Sequence, residues 1–257
     1  GPAGPLAAQL VAYEDRPSQR EMAATIADLY NNGGVGLLEA GTGVGKSLGY
    51  LVPALRWAAQ NGERTVVSTN TINLQEQLVR KDLPFLARAL QHQQPVRFAL
   101  LKGWRNYLCK LRFAQVRLLG PSLLEHDATD HIERIAQWMD VTDDGSISDL
   151  PEPPGHELWD EISAEPDLCT RSSCSHYQHC FVFKARKLAA QADVVVANHH
   201  LLMSDVAVRR AKGNWSDAAV IPPYGRVVID EGHHLEDAAA AHLGFAVTRR
   251  AFQRQFA

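Results

Sequence analysis

Glu39-Ala-Gly-Thr-Gly-Val-Gly-Lys-Ser47 is the most informative segment of this 257-residue chain. It meets the pattern G-x-x-x-x-G-K-[ST], with Ala40 in place of the first Gly. Its glycines permit backbone dihedral angles that direct several N–H groups at phosphate oxygens. Lys46 supplies a cation for the β- and γ-phosphates, and Ser47 supplies a hydroxyl for Mg²⁺. We therefore expect ATP and Mg²⁺ to bind here, at Thr42, Gly43, Gly45, Lys46 and Ser47.

The segments around this loop predict an α/β fold. Val35–Leu38 is a short apolar run that predicts a buried strand, and Leu48–Trp57 predicts a helix whose N-terminus faces the phosphates. Strands and helices then alternate along the chain, which is typical of a RecA-like parallel sheet flanked by helices. The further predicted strands are residues 64–68, 96–101, 193–197 and 226–229.

An acidic box follows the last of these strands. Three β-branched residues run into Asp230, as in a buried parallel strand, which would place Asp230 and Glu231 at the carboxyl end of the sheet. We predict that Asp230 holds the Mg²⁺ shell through water and that Glu231 polarises the attacking water. His233 is a candidate for coupling the nucleotide site to a nucleic-acid groove. The pair His199-His200 has no ligand spacing and is interpreted as ordinary polar positions.

All four cysteines lie between the two motifs, at Cys109, Cys169, Cys174 and Cys180. An even count is compatible with two disulfides, but disulfides are rare where ATP-driven motors operate. Three thiols within twelve residues favour a metal, and four thiolates can hold a tetrahedral zinc or an iron–sulfur cluster. The spacing by itself leaves zinc and cluster equally supported.

The overall composition gives a weaker signal than the motifs. The net charge is −3 and the isoelectric point about 6.4, so the chain is not a basic nucleic-acid-binding domain as a whole. No apolar run approaches the ~20 residues of a membrane span. Without a visible signal peptide, the cytoplasm is the expected location.

Basic residues are concentrated near the cysteines, and Trp104 and Tyr107 lie among them. Cations that meet phosphates and aromatic rings that stack on bases predict a track for single-stranded nucleic acid. The basic residues are Arg105, Lys110, Arg112, Arg117, Lys184, Arg186 and Lys187.

With these residues in place, the chain resembles the first motor domain of the DinG-like helicases, relatives of the XPD helicases in superfamily 2. The acidic box carries Gly232 where that family more usually has Ala. The cysteine block and the segment Ala192–Leu201 resemble the family's iron–sulfur insertion and its return strand. The four matching motor blocks are Arg16–Met22, Glu39–Ser47, Val66–Leu78 and Asp230–His233.

The resemblance implies several properties that the residues alone do not show. Arg16 and Gln19 would lie at the adenine, and the four cysteines would hold a [4Fe–4S] cluster. Residues 1–103 and 191–257 would form the motor domain, and residues 104–190 the iron–sulfur insertion. The family acts on single-stranded or forked DNA with 5′→3′ polarity. It also needs a second motor domain that supplies an arginine finger, so the chain is expected to be one half of a two-domain helicase motor.

Two other functions compete with a helicase motor. The chain by itself would be an ATP- and DNA-binding module with little hydrolysis, because it lacks the arginine finger. A small-molecule kinase is a further alternative, although no second substrate site is visible in the sequence. We also expect the cluster to be structural, because a lobe of this size would be too small to fold on its own core.

Overall fold

The computed structural model describes residues 4–9, 13–41, 43–90, 95–119 and 128–244. The chain divides into two compact units, one formed by Gly1–Phe98 with Asp193–Ala257 and the other by Ala99–Ala192. The sequence-based boundaries of an iron–sulfur insertion, residues 104–190, stay a prediction. Within the described ranges, none of the helices combines the length and apolar character required to span a bilayer.

The helices occur throughout both units. In chain order they are α1 Pro17–Asn32, α2 Lys46–Asn61, α3 Ile72–Gln77, α4 Leu83–Leu90, α5 Lys110–Leu119, α6 Ala128–Val141, α7 His156–Ile162, α8 Phe181–Gln191, α9 His199–Lys212 and α10 Leu235–Leu243. The predicted parallel sheet is confirmed. Its four strands are β1 Thr65–Thr69, β2 Phe98–Leu100, β3 Val194–Asn198 and β4 Arg226–Ile229.

The strand order is β2-β3-β1-β4, and β1 pairs in parallel with both β3 and β4. Val67 of β1 aligns with Val196 on one side and with Val228 on the other. Every residue of β1 is buried, as expected for a central parallel strand. In β4 the burial alternates, and Val227 and Ile229 are about 40% exposed. The acidic box therefore follows a strand at the edge of the described sheet.

The predicted strand Val35–Leu38 is wrong. Residues 33–41 have no regular secondary structure, and the side chains of Val35 and Leu37 are almost fully exposed. A strand exists only where a neighbour satisfies its backbone N–H and C=O groups. Among the described residues, no strand pairs with the outer edge of β4, and Val35–Leu38 has no partner there either.

The helix predicted over residues 72–90 is divided by a π-helical turn, Leu78–Asp82. Pro84 lies immediately after this turn, as the second residue of α4. Proline has no N–H and its ring clashes with the preceding turn of an α-helix. The wider hydrogen-bond spacing of the π-turn absorbs this interruption without ending the helix.

A buried ion pair fixes the segment that leads into β4. Asp205 and Arg209 lie one turn apart on α9, are almost completely buried, and are joined by Nε and Oδ2 at 2.6 Å. The Asp205 carboxylate also accepts the backbone N–H of Ile221 at 2.7 Å and the Tyr224 hydroxyl at 2.9 Å. The guanidinium donates to backbone carbonyls of Trp215, Asp217 and Ile221.

The second unit has a hydrophobic core of its own. Buried side chains from α5, α6, α7 and α8 form one cluster that includes Phe113, Trp138, Trp159, Ile162 and Phe181. The expectation that this lobe is too small to have a core is therefore wrong. Residues 165–180, which carry three of the cysteines, contribute no buried residue. Within this segment, Cys180 packs partly against the core cluster.

Candidate nucleotide site and cysteine site

The phosphate loop ends at the N-terminus of α2, as the sequence predicts. Gly43 and Gly45 have φ angles of 79° and 83°, in the left-handed region that favours glycine. Gly45 is also the N-cap of α2, and a Cβ there would collide with the Gln19 side chain. The helix begins at Lys46, so its first N–H groups are available for an anion. Thr42 lies outside the described residues.

Arg16 and Gln19 contact the phosphate loop through its backbone. The Gln19 side-chain amide donates to the Gly45 carbonyl at 2.9 Å, and the Arg16 guanidinium donates to the Gly43 carbonyl. These bonds hold the loop from the side of α1. That Arg16 and Gln19 lie at the adenine stays a prediction.

The acidic box continues from β4 beside the end of β1. The Asp230 N–H donates to the Ser68 carbonyl at 2.8 Å, which continues the β1–β4 ladder by one residue. The Asp230 side chain is buried, and its Oδ1 accepts the backbone N–H of Glu231 at 3.0 Å. Glu231 has a φ of 55°, a left-handed conformation that is uncommon for a side chain of this kind. His233 follows in a short 3₁₀ turn and is exposed.

Tyr50 joins the loop and the box, and sequence reasoning missed it. It lies on α2, is 2% exposed, and its hydroxyl donates to Asp230 Oδ2 at 3.0 Å. Burial, followed by the Asp230 charge, raises the pKa of the Tyr50 hydroxyl far above its usual value, while a hydrogen bond from Ser47 opposes that rise. Tyr50 therefore stays a neutral donor. Its spacing of three from Ser47 on one helix was the available signal.

His199, interpreted from the sequence as an ordinary polar position, is buried just after the end of β3. It is 1% exposed, and its Nδ1 lies 2.7 Å from Ser68 Oγ. Burial lowers the pKa of the imidazole, against the opposing effect of the nearby Asp230 and Glu231 backbone. A neutral ring therefore packs beneath the acidic box.

The four cysteines are free thiols that line one cavity in the second unit, together with Trp104, Tyr177 and Phe183. Cys180 is the N-cap of α8, and burial raises the pKa of its thiol while the N–H groups of Val182 and Phe183 lower it. The Arg171 N–H donates to Cys169 Sγ at 3.4 Å. Among the described residues, no three His, Cys, Asp or Glu side chains lie close enough together to hold a metal ion.

Several of the cations near the cysteines are used inside the fold. Arg112 donates to the Ser163 carbonyl at 2.7 Å, and Lys184 donates to the Asp143 carbonyl at 2.6 Å. The Arg186 guanidinium lies 5.0 Å from the centre of the Trp104 ring. A single-strand track in this unit would therefore rely on the exposed cations Arg117 and Lys187, and on Arg105, whose exposed guanidinium lies 4.0 Å from Glu165.

A glycine-rich loop at a helix N-terminus, beside an acidic pair that follows a parallel strand, defines a phosphate-loop nucleotide-binding domain. Comparison with known proteins shows which phosphate-loop proteins this chain is similar to. Residues 156–252 match the DEAD_2 family model. The chain is 37% identical to the ATP-dependent DNA helicase YoaA of Escherichia coli (strain K12), over 97% of this chain and 38% of that protein.

Two other relatives agree with this match. The ATP-dependent helicase DinG of Mycobacterium tuberculosis (strain ATCC 25618 / H37Rv) is 38% identical over 93% of this chain and 38% of its own length. A Bacillus subtilis (strain 168) protein named 3'-5' exonuclease DinG is 34% identical over 92% of the chain and 24% of its own length. The resemblance to the DinG-like helicases is thus confirmed. The chain spans well under half the length of these relatives.

Proposed function

We propose that this chain is the first motor domain of an ATP-dependent DNA helicase, and that it binds ATP with Mg²⁺ between the phosphate loop and the acidic box. The observation that carries the proposal is the hydrogen bond from Tyr50, on the helix after the loop, to Asp230 of the box. It brings together two motifs that only a nucleotide-hydrolysing site requires at one place. The names of the relatives support a helicase over a small-molecule kinase.

Each residue of the site then has a role that follows from its position. Lys46 and the first N–H groups of α2 neutralise the phosphate charge. Ser47 and Asp230 would hold Mg²⁺, which when bound would supply positive charge at the phosphates. Glu231 follows Asp230 directly and orients the attacking water. His233 is exposed next to Glu231, where a change at the nucleotide can be passed to bound DNA.

The substrate is single-stranded or forked DNA, and translocation runs 5′→3′. A second motor domain contributes an arginine finger, which can be worth 10³–10⁵ in rate where it operates. ATP and DNA are both available in the cytoplasm, and we assign the protein to that compartment.

The isolated chain should therefore bind nucleotide but hydrolyse it slowly. The test is ATP turnover of this chain with and without single-stranded DNA, beside a measurement of nucleotide binding. Binding with little turnover agrees with a motor half that lacks its finger. Turnover at the rate of a complete helicase would contradict the proposed need for an arginine finger from a second motor domain, and absence of nucleotide binding would overturn the proposed function.

A [4Fe–4S] cluster held by Cys109, Cys169, Cys174 and Cys180 is part of the proposal. The donor set fits this group because four free thiols line one cavity and the sulfur of Cys169 receives the backbone N–H of Arg171. When bound, the cluster cross-links four thiolates and can carry an electron. The exposed segment 165–180 is the part of the chain that this cross-link would hold.

The cluster assignment predicts both a spectrum and a variant phenotype. Anaerobically purified protein should show a broad band near ~400 nm and about four irons per chain. Cys174→Ser should lower the iron content and expose residues 165–180 to protease, while the core around Phe113 and Trp159 keeps its protection. It should also weaken DNA binding more than nucleotide binding.

The neighbouring variant Ser173→Ala is the control, because Ser173 is exposed and supplies no thiol. It should match the unchanged protein in iron content and protease pattern. A colourless protein with one zinc would replace the cluster by a structural zinc site. Equal loss of nucleotide and DNA binding in Cys174→Ser would show that the second unit is integral to the motor core.

A further inference from the structure

Tyr50 occupies a position between the two groups assigned to the metal. Its hydroxyl donates to Asp230 Oδ2 at 3.0 Å, and Ser47 precedes it by one turn on α2. Asp230 Oδ1 is held separately, by the backbone N–H of Glu231 at 3.0 Å. Each carboxylate oxygen thus has one fixed donor, and the orientation of the carboxylate plane is set by Tyr50 and the backbone together.

Packing alone does not require a hydroxyl at this position. Tyr50 is buried on α2, where a phenylalanine ring would fill the same space, and a hydroxyl without a partner would be costly there. Among the described residues, this hydroxyl has its hydrogen-bond partner in Asp230, a metal-site residue. A carboxylate that reaches Mg²⁺ through water depends on orientation, because Mg²⁺ demands near-ideal octahedral geometry.

We propose that Tyr50 is a positioning residue of the Mg²⁺ site, which fixes the Asp230 carboxylate relative to Ser47 before the metal–nucleotide complex binds. This inference rests on the proposed function and adds to it a residue outside both motifs. Tyr50 touches neither nucleotide nor water in this role. It acts through Asp230.

The chain supplies a matched control in Tyr30. Its ring is 5% exposed, and its hydroxyl forms one buried hydrogen bond, to Thr65 Oγ1 at 3.2 Å. Tyr30→Phe and Tyr50→Phe therefore each remove one buried hydroxyl from the same unit. Only Tyr50→Phe removes a bond to a metal-site residue.

The experiment measures binding of a fluorescent ADP analogue to the chain, once with Mg²⁺ and once with EDTA. The ratio of the two affinities isolates the metal contribution from folding and from phosphate binding. Tyr50→Phe should reduce this ratio by about tenfold, the effect of losing one hydrogen bond to a charged group. Tyr30→Phe should leave it unchanged, and affinity in EDTA should be equal in all three proteins.

A double variant gives an independent measure. With Asp230→Asn already present, Tyr50→Phe should reduce the Mg²⁺ ratio no further, because the residue acts through that carboxylate. Circular dichroism establishes that each variant is folded, including Asp230→Asn and the double variant.

The outcomes separate the inference from the function on which it rests. An unchanged Mg²⁺ ratio in folded Tyr50→Phe, or an equal loss in Tyr30→Phe, would overturn the positioning role and leave the nucleotide site intact. If the unchanged chain binds the analogue neither with Mg²⁺ nor with EDTA, the proposed function itself fails.

Discussion

We expect Lys46→Ala to lower ATP turnover by at least about 10²-fold while leaving the fold intact. The side chain is half-buried at the first position of α2, beside a loop whose glycines adopt the left-handed conformation needed to surround phosphate. Loss of a cation aimed at the charge that develops during phosphoryl transfer lowers kcat by roughly 10²–10³-fold. Because the same cation also binds the ground state, nucleotide affinity falls as well. Turnover is measured in the protein with its second motor domain present, with saturating single-stranded DNA.

Lys212→Ala is the matched control for this variant. Lys212 is an exposed lysine at the C-terminal end of α9, and its removal changes the net charge by the same amount. It should leave turnover within twofold of the unchanged protein. Full turnover in Lys46→Ala would contradict the assignment of the phosphate loop, whatever the family resemblance suggests.

The nucleotide loop could be predicted from sequence because its determinants are local. Gly43, Gly45 and Lys46 are neighbours in the chain, and a positive φ at each glycine is a property of that residue and its turn. The position of the acidic pair was predictable for a related reason, since a β-branched run indicates a strand and the residues after a parallel strand lie at the carboxyl end of the sheet. The expected burial of this strand was wrong, because β4 lies at the edge of the described sheet and Val227 and Ile229 are about 40% exposed.

The strand expected at Val35–Leu38 shows the limit of this reasoning. Its composition is that of a buried strand, but strand formation depends on a neighbour that composition cannot supply. Burial in β1 and exposure at Val35 differ because β1 has a partner on each side. The apolar pattern identified a segment that could form a strand. It could not show whether another strand lay beside that segment to pair with it.

Tyr50 and His199 were missed because their partners are remote in sequence. The hydrogen bond of Tyr50 spans 180 residues, and that of His199 spans 131. A tyrosine on an apolar helix face is an ordinary core residue until the group opposite its hydroxyl is known. The same holds for the core of the second unit, whose helices lack a common motif but pack their aromatic side chains together.

Arg209→Ala should destabilise the first unit by about 3–5 kcal/mol. The variant leaves the Asp205 carboxylate, which is completely buried, without the guanidinium that neutralises it. It also removes the donor to three backbone carbonyls in the segment before β4, and the guanidinium that lies 4.9 Å from the centre of the Tyr224 ring. The measurement is the free energy of unfolding in urea, with circular dichroism as the signal that monitors unfolding.

Arg80→Ala provides the comparison that isolates burial. Arg80 also pairs with an acidic residue four positions earlier, Glu76, at 2.5 Å, but its side chain is 58% exposed. Glu76 is 18% exposed, so the pair is partly covered but its guanidinium is in contact with water, and such a pair is worth about 1 kcal/mol or less. If both variants lost equally little stability, the buried network would not be what holds the segment before β4. The double variant Asp205→Leu/Arg209→Met should recover much of the loss, because it removes both charges instead of leaving one buried and unpaired.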